Sequence, residues 1–148
     1  MKKLCALLLF CFVSASAFAA GGNWLTSLDE AKKIAEKEKK VILVDFSGSD
    51  WCGWCIKLDK EVFSQQGFKN YAKENLVLVL LDFPRKKKLA PALEAANKAL
   101  LQKYKVKSYP TVILLDSKGE VIGQSGYRAG GPDAYVTYLK ELIEKAKK

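Results

Sequence analysis

Apolar residues follow two patterns along this chain. The runs VILVDF (Val41–Phe46) and LVLVLLDF (Leu76–Phe83) are short, continuous and rich in aliphatic side chains. That pattern predicts strands covered on both faces, as in a parallel sheet. TVILLDSKGEVIGQS reads as an antiparallel hairpin: strand, turn at Ser117–Gly119, strand. The other segments carry helical spacing. Ser27 followed by Glu30 forms a capping box, so a helix is expected from about Leu28 to Lys39. The segment from Cys52 opens a helix with Ile56, Leu58 and Val62 as its apolar positions, and GFKNYAKEN is a further helical piece. KLAPALEAANKALLQKYKV is the longest helix signal, with Pro91 in its first turn. A last helix starts near Pro132. The order is helix, strand, helices, strand, helix, hairpin, helix. It predicts one α/β domain whose mixed sheet is parallel in the middle and antiparallel at one edge, flanked by helices.

The first residues change the count of useful cysteines. Lys2 and Lys3 precede an apolar stretch from Leu4 to Val13 and then small residues, the order of a secretory signal peptide. The apolar stretch is about ten residues, whereas a spanning helix needs roughly twenty. Ala17-Phe18-Ala19 fits the cleavage pattern, giving a signal peptide over 1–19 and a domain over 20–148. An uncleaved anchoring segment is the alternative. Cys5 and Cys11 leave with the signal, so the exported chain keeps only Cys52 and Cys55. A four-cysteine zinc site within one chain is then excluded. The absence of histidine also excludes mixed Cys/His zinc sites and Cys–His nucleophilic catalysis. A bridge between residues three apart closes too small a loop to stabilise a fold by much. A reactive dithiol remains, or two thiolates sharing a soft metal with a partner.

Charge narrows the partners. The full chain carries a formal net charge of +9, and loss of Lys2 and Lys3 brings it to about +7. Most lysines are interleaved with helical patterning and read as solvated faces, and an exported protein meets little nucleic acid, so none is expected as a partner. Only RKKK, Arg85 to Lys88, is a dense run, and it reads as a loop.

A thiol attacks as thiolate, and a helix N-terminus lowers its pKa. A CxxC that leaves a strand and opens a helix meets that condition. Cys52 is then the exposed attacker and Cys55, one turn on, the resolving thiol.

VILVDFSGSDWCGWC followed by KYKVKSYPTVILLDSKGEVI resembles the active-site strand, loop and helix and the proline-led hairpin of the thioredoxin superfamily. SGSDWCGWCIKLDKEVF is similar more narrowly to secreted bacterial thioredoxin-like proteins. The resemblance covers nearly all of the chain beyond the signal and implies a thioredoxin-like fold. It makes Cys52, Gly53, Trp54 and Cys55 the redox motif, puts Trp51 at the rim, and makes Pro110 a cis proline beside the dithiol. It places Tyr109 on the substrate-contacting surface; a partly buried core aromatic is the other reading. Asp45 resembles the family's buried acid that helps deprotonate the second cysteine, with two departures. It lies seven residues before Cys52, one more than in common thioredoxins, and the lysine that often partners the acid is replaced by an apolar residue near Leu78. An unpartnered buried acid has a raised pKa. The alternative for Asp45 is a strand-end residue bonded to a loop, and Asp50 is expected to be simply exposed.

Trp54 stands where better-known members have proline or histidine. An indole cannot stabilise the thiolate as a cation can, which favours a reductant. The expected activity is therefore a periplasmic disulfide reductase needing no bound cofactor or metal. Its expected partners are disulfide-bonded exported proteins and a membrane thiol relay as electron donor. An oxidant, an isomerase and a metal-delivery module are the alternatives. No dimerisation domain is visible, so a monomer is expected.

Overall fold

The computed structural model describes residues 23–148; the expected signal peptide, its cleavage site, Cys5 and Cys11 lie outside the described residues. The elements are α1 (Leu28–Glu38), β1 (Val41–Ser47), α2 (Gly53–Leu58), α3 (Gln66–Asn75), β2 (Leu76–Asp82), α4 (Pro91–Lys103), β3 (Thr111–Leu115), β4 (Val121–Ser125) and α5 (Gly131–Ala146). Helix α2 runs directly into a π-helical turn, Asp59–Phe63. Four strands form one sheet in the order β2-β1-β3-β4. β1 pairs parallel with β2 and antiparallel with β3, and β3 pairs antiparallel with β4.

The sheet is mixed, as expected, but its parallel pair lies to one side rather than in the middle. The hairpin strand β3 docks directly on β1, so the antiparallel half begins at the sheet's centre. Leu25 adds an isolated parallel bridge to Val79 on the outer side of β2, with Leu25 N donating to Leu78 O at 2.9 Å. That bridge covers part of an otherwise open edge.

Strand periodicity divides the interior in two. Ile42, Val44 and Phe46 join Val77, Val79, Leu81, Ile113 and Leu115 under α1, with Leu100, Leu101 and Tyr104 at the α4 end. Leu43, Leu78, Val112 and Leu114 face the other way, against Leu58, Val62, Phe68, Tyr135 and Leu139. Because side chains alternate across a strand, this parity sends Asp45 to the side of α2.

Local chemistry explains the element ends. Glu30 N donates to Ser27 Oγ at 3.3 Å, capping α1. Pro91 is the first residue of α4, and Asp116 Oδ1 accepts from Lys118 N and Glu120 N, both at 2.9 Å, to close the hairpin turn. Two helix expectations need correction. α5, with 16 residues, is longer than α4, with 13, because α4 stops at Lys103 and the chain after it turns into a loop. Ile56 is 49% exposed, since the buried stripe of this helix is Cys55, Leu58 and Val62, and Ile56 lies off it.

Phe68 is fully buried and packs on Phe63 with ring centroids 4.9 Å apart. Phe68→Ala is expected to lower the unfolding free energy by about 3–5 kcal/mol. Urea denaturation should show this as a lower midpoint at unchanged slope.

Candidate redox site

The site begins where β1 ends. Gly48 O accepts from Trp51 N at 3.2 Å and Cys52 N at 2.8 Å, turning the chain sharply from strand to helix. The Trp51 indole lies over Gly48, where an added Cβ would stand 2.5 Å from Trp51 Cε2, so a side chain there must displace the ring. Trp51 Nε1 donates to Phe83 O at 2.8 Å, and Phe83 N donates to Ser47 O at 2.8 Å. The loops after β1 and β2 are thereby tied together at the dithiol.

Cys52 is the N-cap of α2 and is disulfide-bonded to Cys55, with Cα atoms 5.3 Å apart. Cys55 N donates to Cys52 Sγ at 3.2 Å, so sulfur takes one of the helix's unpaired first-turn N–H groups. Contrary to expectation, Cys52 is only 7% exposed, little more than Cys55 at 4%; the outward part of the motif is Gly53 and Trp54, the latter 57% exposed.

Aromatic groups frame the motif on two sides. The Trp51 ring meets Tyr109 edge-on at 5.7 Å and carries the Arg85 guanidinium on a face, 3.6 Å from the centroid. Tyr109 also packs on Phe83 at 5.4 Å and is half-buried, and the Tyr109–Pro110 peptide is cis. On the other side Trp54 packs on Tyr127 at 4.9 Å. Lys57 Nζ sits 5.2 Å from the Trp54 ring centroid and 5.1 Å from that of Tyr127. Glu61 accepts from Tyr127 Oη at 2.7 Å and lies 3.8 Å from Lys57 Nζ.

Behind the dithiol is a cavity of about 300 Å³ lined by Asp45, Ser47, Ser49, Cys55, Asp59 and Leu80, among others. Asp45 is 6% exposed, and its Oδ1 has no hydrogen-bond partner among the described residues. Burial pushes its pKa up to about 7, helped by the carboxylates of Asp59 and Asp82. The apolar residue opposite it on β2 is Leu80, its register partner, rather than Leu78. The reading of Asp45 as a strand-end residue bonded to a loop fits Asp82 instead. Ser49 N and Oγ donate to the Asp82 carboxylate at 2.9 and 2.7 Å, and Lys87 Nζ lies 3.0 Å from it. Burial opposes ionisation of Asp82, but Ser49 and Lys87 outweigh it and hold the pKa below the ordinary value.

Sequence reasoning passed over several of these groups. Asp59 follows Cys55 by four residues, a helical spacing that places both on one face. Asp50, expected to be simply exposed, accepts from the backbone N–H groups of Arg85, Lys86 and Lys87 at 2.9, 2.8 and 3.3 Å. Those bonds, led by Arg85 N–H, lower its pKa. Tyr127 and Arg85 reach the site from distant loops; the basic run marked Arg85 as a loop residue, but nothing local placed either at the dithiol. Among the described residues no group of three or more Cys, Asp or Glu is placed to hold a metal ion.

A dithiol at a strand-to-helix turn beside a cis proline, on a sheet of this order, defines a thioredoxin-type redox domain. The family model for the thioredoxin-like domain matches residues 28–143, and the chain belongs to that family. It is 33% identical over 126 residues to the disulfide bond reductase DsbH of Chlamydia pneumoniae, covering 85% of this chain and 75% of that protein. The thioredoxin-related protein DsbJ of the same organism is 31% identical over 83% of this chain, which spans 37% of DsbJ. A solved structure of a DsbH oxidoreductase superposes with a TM-score of 0.79 at 31% identity, over 89% of this chain and 92% of that one. The protein is a thiol–disulfide oxidoreductase of the thioredoxin family, with Cys52 and Cys55 as its redox pair.

The Asp45 carboxyl sets a pH dependence. Between about pH 4 and 7 it stays protonated in the native protein and ionises in the unfolded chain, so wild-type stability falls as pH rises through that window. Asp45→Asn removes the effect. The variant is expected to gain on wild type as pH rises, reaching of order 3 kcal/mol above pH 7 and little at pH 4. Urea unfolding of the oxidised proteins at pH 4, 6 and 8 measures it.

Proposed function

We propose that this protein is an exported disulfide reductase, working in the periplasm on disulfide-bonded exported proteins and recharged by a membrane thiol donor. The observation that carries the direction is that, among the described residues, no cation stands between the cysteines or lines the cavity beside Cys55. Trp54 contributes no charge between the cysteines, and the Lys57 ammonium is drawn toward Trp54, Tyr127 and Glu61. Asp45 and Asp59 border the cavity beside Cys55. A poorly stabilised thiolate weakens the reduced form relative to that of a strong oxidant's dithiol, so electrons pass outward more readily. The similar protein DsbH is named a disulfide bond reductase, which points the same way.

In the reduced protein Cys52 attacks a substrate sulfur and forms a mixed disulfide, releasing the other substrate sulfur as a thiol. Cys55 then attacks Cys52 Sγ, frees the second substrate thiol and leaves the Cys52–Cys55 disulfide. Asp45 accepts the Cys55 proton through the shared cavity; its pKa of about 7 suits transfer near neutral pH. Tyr109 and Pro110, beside Trp51, form the surface against which the substrate chain lies. The dithiol itself carries the two electrons, so no bound cofactor or metal is required. The protein works as a monomer, and its location follows from the 1–19 signal peptide expected from sequence.

Equilibration with defined thiol buffers should give a reduction potential near about −270 mV, whereas a value near about −120 mV makes the protein an oxidant and overturns this direction. Cys55→Ser is expected to accumulate the mixed disulfide with substrate, and Cys52→Ser to form none, as read by non-reducing electrophoresis.

A further inference from the structure

A second cleft opens at Arg85, whose guanidinium lies on the Trp51 ring. Its volume is about 550 Å³, within the range of ligand clefts, and its walls are the loop from Phe83 to Leu89 and the first turns of α4. We propose that this cleft docks an acidic segment of the substrate polypeptide, a proposal that rests on the disulfide-reductase reading and names its substrate class.

Charge is the first argument. Two acids in the walls are already matched: Asp82 by Lys87 at 3.0 Å and Glu94 by Lys98 at 2.6 Å. Arg85 and Lys88, both exposed, make no ion pair among the described residues, so the lining keeps a net positive charge. The N-terminus of the 13-residue α4 adds to it. Its N-cap, Ala90, has no side chain able to accept from the first-turn N–H groups, which leaves the positive end of the helix uncapped beside the cleft.

Asn97 is the second and independent argument, and it distinguishes a peptide from a bare anion. This residue lines the cleft and is 2% exposed. Its Nδ2 donates to Asp82 O at 3.0 Å, while Oδ1 has no donor among the described residues. A buried acceptor left unmade is costly, and Oδ1 is itself buried, so a contact with an incoming N–H requires the floor to yield and would be read directly at the Asn97 amide. An acidic peptide brings both a backbone N–H and a carboxylate; an inorganic anion brings only charge.

Placement is the third. Arg85 belongs to this cleft and to the Trp51 face, and Trp51 is the residue before Cys52. Asp50 holds the loop through three backbone N–H groups, fixing the cleft in register with the dithiol turn. A polypeptide seated in the cleft therefore leads past Trp51 toward the sulfur pair.

Two measurements test this separately from the redox reading. In the first, oxidised ¹⁵N-labelled protein is titrated with a cysteine-free acidic hexapeptide, its Asn/Gln counterpart, and sulfate at equal charge. The acidic peptide is expected to shift the Asn97 side-chain amide and the Arg85–Lys88 backbone signals, the other two far less, and Lys88→Glu is expected to suppress the shifts. Equal shifts from sulfate, or none from the acidic peptide, overturn the docking site. In the second, reduced protein is given two cystine-bridged peptides, one with acidic and one with amide flanks. The acidic one is expected to react about tenfold faster at low salt, with the advantage fading as salt rises. Equal rates for both also overturn the docking site while leaving the reductase reading intact. Shifts at Asn97 with neither peptide reduced would uphold the cleft and remove the reductase reading instead.

Discussion

β1 has no free face, and the arrangement of the site depends on that constraint. Its even-numbered residues pack toward α1 and its odd-numbered ones toward the helix that carries the dithiol. Asp45 is odd-numbered, so it cannot reach solvent without breaking the parity that buries Leu43 and Phe46 on either side. The strand therefore holds a carboxyl inside the protein beside the same cavity as Cys55, opposite Leu80, where no cation among the described residues offsets it. Ionising it there is unfavourable, and a pKa of about 7 is the result. A group that weakens the native state as pH rises from about 4 to 7 is held in place by the packing of both cores.

The dithiol turn is braced from the β2 side. Phe83 N bonds Ser47 O, Phe83 O accepts from Trp51, Asp82 takes both donors of Ser49, and Asp50 takes three N–H groups of the basic loop. These contacts join segments more than thirty residues apart in sequence, and they act on the same few ångströms of chain. With Gly48 leaving space for the indole, Trp51 is set by its neighbours on every side that the structure describes.

What the sequence disclosed follows the range of the forces involved. Strand and helix periodicity is local, so each element could be read, as could the redox pair and the cis proline through the family pattern. The parallel pair was misplaced because nothing within VILVDF or TVILL states which strand lies beside β1. Asp59 was legible in principle, four residues beyond Cys55, but helical spacing alone does not reveal that a cavity lies on that face. The Asp50 and Asp82 anchors, Arg85 on Trp51 and Tyr127 on Trp54 are tertiary. Each is an ordinary loop residue until the fold brings its partner to it. Asp82 and Asp45 show the difficulty well: both are buried strand acids on one face of the sheet, and what separates them is tertiary, since Ser49 and Lys87 reach Asp82 while Asp45 Oδ1 has no partner among the described residues.

The two sides of the dithiol have opposite electrical character. Toward the interior, the cavity beside Cys55 is bordered by Asp45 and Asp59. Toward the surface, Arg85 covers Trp51 and the cleft beyond it is positive. Lys57, the cation nearest in sequence to the motif, is turned to Trp54, Tyr127 and Glu61. On the proposed reading, positive charge thus lies where a partner approaches, and acidic groups lie where a proton is received. Such a separation matters because interior charges act on the sulfurs with little screening, while the exposed ones act on what arrives from solvent within a screening length of about 10 Å. On the same reading, the groups behind the dithiol set its potential and the groups in front set its choice of partner, so different residues alter the two properties.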